Sequence, residues 1–247
     1  MAILRAEQLT KTYRGASEPA LRGVDLAVEE GEFFGLLGPN GAGKTTAISI
    51  LCGLVNPTSG RVLVRDRELS DIRGEARRAL GLVPQDIALY GTLTVRENVS
   101  YFGRMHGLGG KRLAYRVDAA LALAGLAEHG DRRVVTLSGG MKRRANLAAG
   151  IVHEPSVLLL DEPTVGVDAQ SRNAIVEALE ALTRADLTIV YTTHYMEEAE
   201  RLCSRVAILD SGMILAQGSP RELIEATPDC RTLEDVFLAL TGRALRD

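Results

Sequence analysis

Gly38-Pro39-Asn40-Gly41-Ala42-Gly43-Lys44-Thr45-Thr46 is the stretch of the chain with the most chemistry in it. From Gly38 to Thr45 the spacing fits G-x-x-x-x-G-K-[ST], a loop that cradles phosphate groups. Glycines let consecutive backbone N–H groups turn inward without a Cβ clash and form a concave nest of donors. A helix-compatible run from Ala47 to Leu51 follows, and its positive end adds to the nest. Lys44 would then place a point charge on β- and γ-phosphates, and the Thr45 hydroxyl would ligate Mg²⁺.

A second group of reactive side chains closes the run Ser156-Val157-Leu158-Leu159-Leu160-Asp161-Glu162. Four apolar residues and then Asp161 match the acid that holds a magnesium hydration shell, and a cation-rich strand end keeps such a carboxylate ionised. Glu162 stands where the strand can turn toward phosphate, a position suited to polarising an attacking water. Taken alone, the pair reads equally well as two acids capping a strand at the surface. Leu137-Ser138-Gly139-Gly140-Met141 opens a helix, with Ser138 as a natural N-cap and two glycines leaving bare N–H donors. That is a second anion site, or else a capped helix with no ligand. One phosphate loop implies one triphosphate per chain, so the second site suits a γ-phosphate held by a neighbouring copy.

The elements that must position these groups follow from periodicity. Ile3 to Leu9 reads as an edge strand, Val24 to Val28 as an alternating strand, and Phe33 to Leu37 as the apolar strand feeding the phosphate loop. Arg61 to Val64 alternates after the turn Asn56-Pro57-Thr58-Ser59-Gly60, and Gly81 to Gln85 is a short strand stopped by Pro84. From about Thr94 to Gly150 the pattern is helical, clearest over Asp118 to Ala127 and Met141 to Ala149, with Leu108 to Lys111 as a loop. Ser156 to Glu162 has the form of a fully buried parallel strand. A helix over Ala169 to Thr183, a strand over Leu187 to Thr193 ending at His194, a helix over Met196 to Cys203, and strands at Arg205 to Leu209 and Met213 to Gln217 follow. Strand–helix alternation gives a doubly wound α/β core, whose ligands bind beyond the carboxyl ends of the strands. Gly38, Asp161, Glu162 and His194 all fall there.

The 247 residues suffice for one large domain or two small ones. A hydrophobic content of 46%, a charged content of 25% and a net charge of −3 are ordinary for a globular protein and argue against a nucleic-acid partner. No apolar run approaches the ~20 residues of a spanning helix, and Met1 to Glu7 lacks a signal-peptide layout. Cys52, Cys203 and Cys230 are widely separated, without metal spacing, and are expected to be reduced thiols.

Together, Gly38–Thr45, Gln85, Leu137–Met141, Val157–Pro163, Val167-Asp168 and His194 resemble the ATP-binding subunit of ABC transporters, and the likeness spans nearly the whole chain. The resemblance implies an α/β fold of the P-loop NTPase type with an antiparallel β layer and a helical subdomain. It further implies a single domain over 1–247, with 1–84 and 151–247 as the nucleotide-binding core and 85–150 as the helical part. It implies a head-to-tail dimer enclosing two ATPs. Pro39, Asn40, Gly41, Ala42, Gly43 and Thr46 then line the nucleotide with Gly38, Lys44 and Thr45, while Ser138, Gly139 and Gly140 close on it from the other copy. Tyr13 corresponds to the aromatic that stacks on adenine, although from the residues alone it is equally a packing tyrosine. Gln85 corresponds to the loop that reports the γ-phosphate to the membrane partner, and joins Thr45 and Asp161 around Mg²⁺. Asp168 corresponds to the loop at the dimer seam, and His194 to the switch that holds the γ-phosphate. Lys44, Glu162 and His194 make the catalytic set.

Met141 stands where the usual signature has Gln. Gly139 to Arg144 and the tail Leu233 to Gly242 resemble the drug-resistance exporter branch, in which a separate multi-span permease binds the ATPase dimer at the cytoplasmic face of the membrane. Leu233, Val236, Phe237 and Leu240 share one face of that tail helix, to dock on the protein's own core or on a partner. Arg143 and Arg144 read as a solvated helix face. Two other classes share features: a soluble ABC ATPase working on ribosomes or DNA, and a GTP-using switch. The single cassette without sustained heptads argues against the first. The missing Asn-Lys-x-Asp string argues against the second.

Overall fold

Two apolar runs decide where the central strands lie. Phe33 to Leu37 and Val157 to Asp161 have no polar alternation, so each must be covered on both faces, and every residue in both is buried. The computed structural model describes residues 1–242, the side chains at 73, 75 and 77 apart. In chain order the strands and helices are β1 (Ala2–Lys11), β2 (Leu21–Glu29), β3 (Phe33–Leu37), α1 (Lys44–Leu51), β4 (Ser59–Val64), β5 (Arg67–Glu68), α2 (Arg73–Ala79) and β6 (Leu80–Val83). There follow α3 (Val95–Met105), α4 (Gly110–Leu123), α5 (Gly139–Ile151), β7 (Val157–Asp161), α6 (Ala169–Thr183), β8 (Thr188–Thr193) and α7 (Met196–Leu202). β9 (Arg205–Asp210), β10 (Met213–Gly218), α8 (Pro220–Ala226) and α9 (Leu233–Thr241) complete the order. The chain forms two compact units, Met1–Ala76 with Thr188–Asp247, and Arg77–Leu187.

In the first unit an antiparallel sheet runs β2-β1-β4-β5. β1 is therefore an interior strand, paired with β2 on one side and β4 on the other, and not the edge strand its pattern suggests. Its alternation is blurred because the register slips at bulges, one of them at Gln8, which has φ of 49°. Ile3 and Leu4 are consequently both buried. A second set lies side by side as β10, β9, β3 and β8, with β3 parallel to both β8 and β9 and β10 antiparallel to β9. The packing behind β3 is tight. A Cβ on Gly35 would lie 2.8 Å from the Cys203 sulfur, whose thiol is pushed up by burial and by the nearby Glu198 and Glu32.

α9 lies against α7 and α8. Leu233, Val236 and Phe237 are buried there, while Leu238 and Leu240 face outward. Most of the tail's apolar face thus docks on its own unit, and Leu240 does not join it. Burying each such side chain contributes roughly 1.5–3 kcal/mol.

In the second unit β6 and β7 pair in parallel from Leu80↔Val157 to Val83↔Leu160. α3, α4 and α5 pack on one another, and α5 also lies on β6 and α6. α3 starts at a reciprocal cap: the Glu97 N–H donates to Thr94 Oγ1 at 3.1 Å and the Thr94 N–H to Glu97 Oε2 at 2.8 Å. α4 begins at Gly110 and ends at Leu123, some turns earlier than the expected span Asp118 to Ala127, and takes in half of the expected loop Leu108 to Lys111. Gly110 enters at φ of 54°, a conformation that lets two glycines start a helix where composition reads as a turn. Among the described residues no helix is long and apolar enough to cross a membrane.

Candidate functional site

In the first unit the phosphate-loop residues Gly38 to Thr46 join β3 to α1. Gly43 is the N-cap of α1 with φ of 108° and offers the helix no side-chain acceptor. A Cβ at Gly43 would meet the Ala20 carbonyl at 2.6 Å, so both the turn and the close approach exclude any other residue. The helix start thus keeps uncapped N–H donors, the arrangement that binds anions. Lys44 is buried and reaches back over the loop, its ammonium donating to the Gly38 carbonyl at 2.7 Å and the Pro39 carbonyl at 3.0 Å.

Strand register brings His194 to the same place. Leu37 pairs with Thr193 in the parallel β3–β8 ladder. Gly38 and His194, the next residues on each strand, therefore leave the sheet side by side at its carboxyl end. The His194 ring lies 4.3 Å from that of Tyr195. Tyr13 is 44% exposed. Its hydroxyl is 3.4 Å from Thr46 Oγ1, and the Lys11 ammonium is 5.1 Å from its ring centroid. The tyrosine is thus held near the end of the phosphate loop with its ring open to solvent, which sets aside a core-packing role. Tyr13, Gly38, Pro39, Asn40, Gly41, Ala42, Gly43, Lys44, Thr45, Thr46 and His194 belong to this one unit.

In the second unit the β6–β7 register places Pro84 and Gln85 beside Asp161 and Glu162. Gln85 Nε2 donates to Glu162 Oε2 at 3.3 Å. Asp161 is 3% exposed and Glu162 4%, so the two acids are not a surface cap. Glu162 has φ of 45°, in the left-handed region that costs a non-glycine residue on the order of 1–3 kcal/mol. That turn swings its carboxylate off the strand and toward Gln85. The Asp161 carboxylate and the Gln85 amide oxygen are hard oxygen donors, the kind Mg²⁺ prefers, and the Thr45 hydroxyl of the first unit is a donor of the same kind.

α5 carries the third element. Ser138 is its N-cap and accepts from the Met141 N–H at 3.2 Å. Gly139 and Gly140 form its first turn. A methyl on Gly140 would overlap the Ser171 side chain and lie 3.2 Å from Asp168 Oδ2. Asp168 caps α6 by accepting from the Ser171 N–H at 2.9 Å. Backbone N–H donors, that of Ser171 first, hold its carboxyl below the ordinary range.

Arg143 and Arg144 are not a solvated face. Arg143 Nη1 donates to the Gln85 carbonyl and, at 3.5 Å, to that of Pro84; Nη2 donates to the Val165 carbonyl at 3.3 Å. Arg144 Nη1 donates to the Ala124 and Gly125 carbonyls, each at 3.0 Å. Asn146, which sequence reasoning passed over, is buried and tied to residues 84–88. A lone amide in the run Ala145-Asn146-Leu147-Ala148-Ala149 was the available signal, because buried polar side chains need built partners. Nothing in the sequence marks Arg143 in this way.

A protein-family model described as ABC transporter matches residues 21–165. The chain is 43% identical over 221 residues to the linearmycin resistance ATP-binding protein LnrL of Bacillus subtilis (strain 168), covering 90% of this chain and 70% of that protein. It is 42% identical over 233 residues to the Nod factor export ATP-binding protein I of Cupriavidus metallidurans, covering 94% and 76%. A solved ATP-binding subunit of an ABC transporter superposes with a TM-score of 0.87 at 27% identity, covering 97% of this chain and 99% of the other. The ATP-binding cassette MJ0796, in a dimeric post-hydrolysis state bound to ADP and Pi, gives a TM-score of 0.80 at 29% identity, covering 87% and 98%.

Proposed function

The chain belongs to the ABC transporter family as an ATP-binding, ATP-hydrolysing subunit, and on that premise we propose that two copies, or one copy and a related subunit, close head to tail on two ATPs to drive export through a separate membrane permease. The observation that carries this reading is the register that sets the phosphate loop at Gly38 beside His194 at the carboxyl ends of β3 and β8. The relatives named for linearmycin resistance and Nod factor export support transport, and outward transport, over work on ribosomes or DNA.

Each residue then has one task. The N–H groups of Asn40 to Thr46 and the Lys44 ammonium grip the β- and γ-phosphates, and Tyr13 stacks on adenine. Thr45, Asp161 and Gln85 would offer the oxygens for Mg²⁺, which would neutralise phosphate charge. Glu162, steered by Gln85, orients a water in line with the γ-phosphorus and takes its proton as the bond to ADP breaks. His194 holds the transferring phosphoryl group. Ser138, Gly139 and Gly140 approach the γ-phosphate of the other copy, so nucleotide binding becomes dimer closure.

The reading places the chain at the cytoplasmic face of the membrane, held there through its permease. Residues 85–150 act as the helical part of a single cassette, and the Gln85 loop with Thr94 to Tyr101 faces the permease. Tyr90 and Tyr101, edge to face at 5.2 Å and both exposed, suit such a groove.

Glu162→Gln tests the assignment. Phosphate release is expected to fall by at least about 100-fold while Mg²⁺–ATP binding persists and a dimer accumulates on size exclusion. Release at the wild-type rate would remove Glu162 from the chemistry.

A further inference from the structure

Residues 84–88 leave β6 at Pro84 and adopt no regular structure. Their backbone groups must find partners elsewhere, and α5 supplies them. Asn146 Oδ1 accepts from the Ala88 N–H at 3.2 Å, and its Nδ2 donates to the Pro84 carbonyl at 3.2 Å and the Asp86 carbonyl at 3.3 Å. Asn146 is 3% exposed, so this amide serves the loop and nothing in solvent. One turn earlier on the same helix, Arg143 divides its guanidinium between two loops, the Pro84 and Gln85 carbonyls on one side and the Val165 carbonyl on the other. Burial lowers the Arg143 pKa, opposed by Asp86. A half-buried cation spread over carbonyls is costly to keep, and it fixes geometry in return. At the start of α5, Gly140 sits flush on Ser171 and Asp168, and Ser138 caps the same turn.

We propose that Arg143 and Asn146 are positioning residues, latching the Gln85 loop and the Val165 turn to the helix whose first turn carries Ser138. The two loops and the first turn of α5 then move as one piece. When Ser138 engages a nucleotide, α5 carries the Gln85 loop and the Val165 turn with it, so the Gln85–Glu162 bond is held through the displacement. The inference rests on the assignments of Ser138, Gln85 and Glu162 given above. Neither positioning side chain belongs to the phosphate loop, so loosening the latch acts on turnover more than on nucleotide affinity.

Phosphate release by the purified protein, measured against Mg²⁺–ATP concentration, tests this in Arg143→Met, Arg143→Lys and Glu162→Gln. For Arg143→Met the expected result is a kcat about tenfold lower with KM changed by less than about twofold, and partial recovery in Arg143→Lys, whose ammonium reaches fewer carbonyls. Amide exchange supplies a readout that general destabilisation does not move: in Asn146→Ala the Ala88 N–H should exchange at least about tenfold faster, with amides in β7 unchanged. If Glu162→Gln is inactive while Arg143→Met keeps kcat within about twofold of wild type, the latch alone is wrong. If Glu162→Gln turns over normally, the underlying site assignment fails and the latch with it. Should the variants fold poorly, the wild-type protein decides: an Ala88 amide exchanging like that of an unstructured loop overturns the proposal.

Discussion

Gly140 and Ser171 are packed so closely that a single methyl on the glycine would overlap the serine hydroxyl. The first turn of α5 and the first turn of α6 therefore fit only while position 140 has no side chain. Gly140→Ala should lower the unfolding midpoint and cut phosphate release. Adding Ser171→Gly removes the colliding atoms and should restore both, because the next neighbour, Asp168 Oδ2 at 3.2 Å, needs a shift of only a few tenths of an ångström. Thermal unfolding and turnover of the single and double variants check this. A double variant no better than Gly140→Ala would show that the glycine serves some other purpose.

Composite sites predict complementation. Ser138→Arg should block the approach of one copy to the other's γ-phosphate, and Lys44→Ala should weaken phosphate binding in its own loop. Each homodimer is expected to be inactive. In the mixed dimer one site carries both lesions and the other neither, so turnover should recover to about half the wild-type value by simple site counting. No recovery above either homodimer would contradict sharing between copies, because unshared sites leave each copy with its own lesion, and recovery to the full rate would contradict the count of one intact site.

The tail predicts a stability effect without a catalytic one. Phe237 is fully buried where α9 meets its neighbours. Phe237→Ala should cost about 3–5 kcal/mol in urea unfolding. At a temperature where the variant remains folded, kcat should stay at the wild-type value.

His153 predicts a pH dependence. Burial, and then His106 stacked 3.6 Å from it, hold its imidazole down to about 4; Arg116 acts the same way, and the Leu80 carbonyl, 3.1 Å from Nε2, opposes them. The folded form keeps the ring neutral while the unfolded chain protonates near 6.5. Between these values the unfolded state binds the extra proton, so stability falls as pH drops from about 6.5 to 4, by up to about 3 kcal/mol. His153→Gln should flatten this window in urea titrations at successive pH values. Asp168 and Glu97, held low by backbone N–H donors, lose their contribution only at more acid pH.

Much of the site was legible because its residues have little freedom. Phe33 to Leu37 and Val157 to Asp161 can only be covered strands, and the glycines between Gly38 and Lys44 can only be a tight turn into a helix. The helix expected over about Ala169 to Thr183 is α6, and Asp168 caps it. What resisted reading depended on distant partners. β1 loses its alternation to bulges, so its place inside a sheet is not written in its own pattern. The Leu108 to Lys111 segment looks like a loop because glycines rarely begin helices, yet α4 starts at Gly110. Arg143 has the composition of a surface residue, and only the irregular stretch after Pro84 explains why it is turned inward.

The close fit of Gly35 against Cys203 bears on how the protein can be handled in the laboratory. A sulfur shielded behind a strand, and kept protonated there, is a poor target for maleimides and mild oxidants. Cys52 and Cys230 are part-exposed and will take up such reagents first. Cys52 directly follows α1, so the unmodified polypeptide already carries an attachment point for a spectroscopic probe one helix away from the phosphate loop.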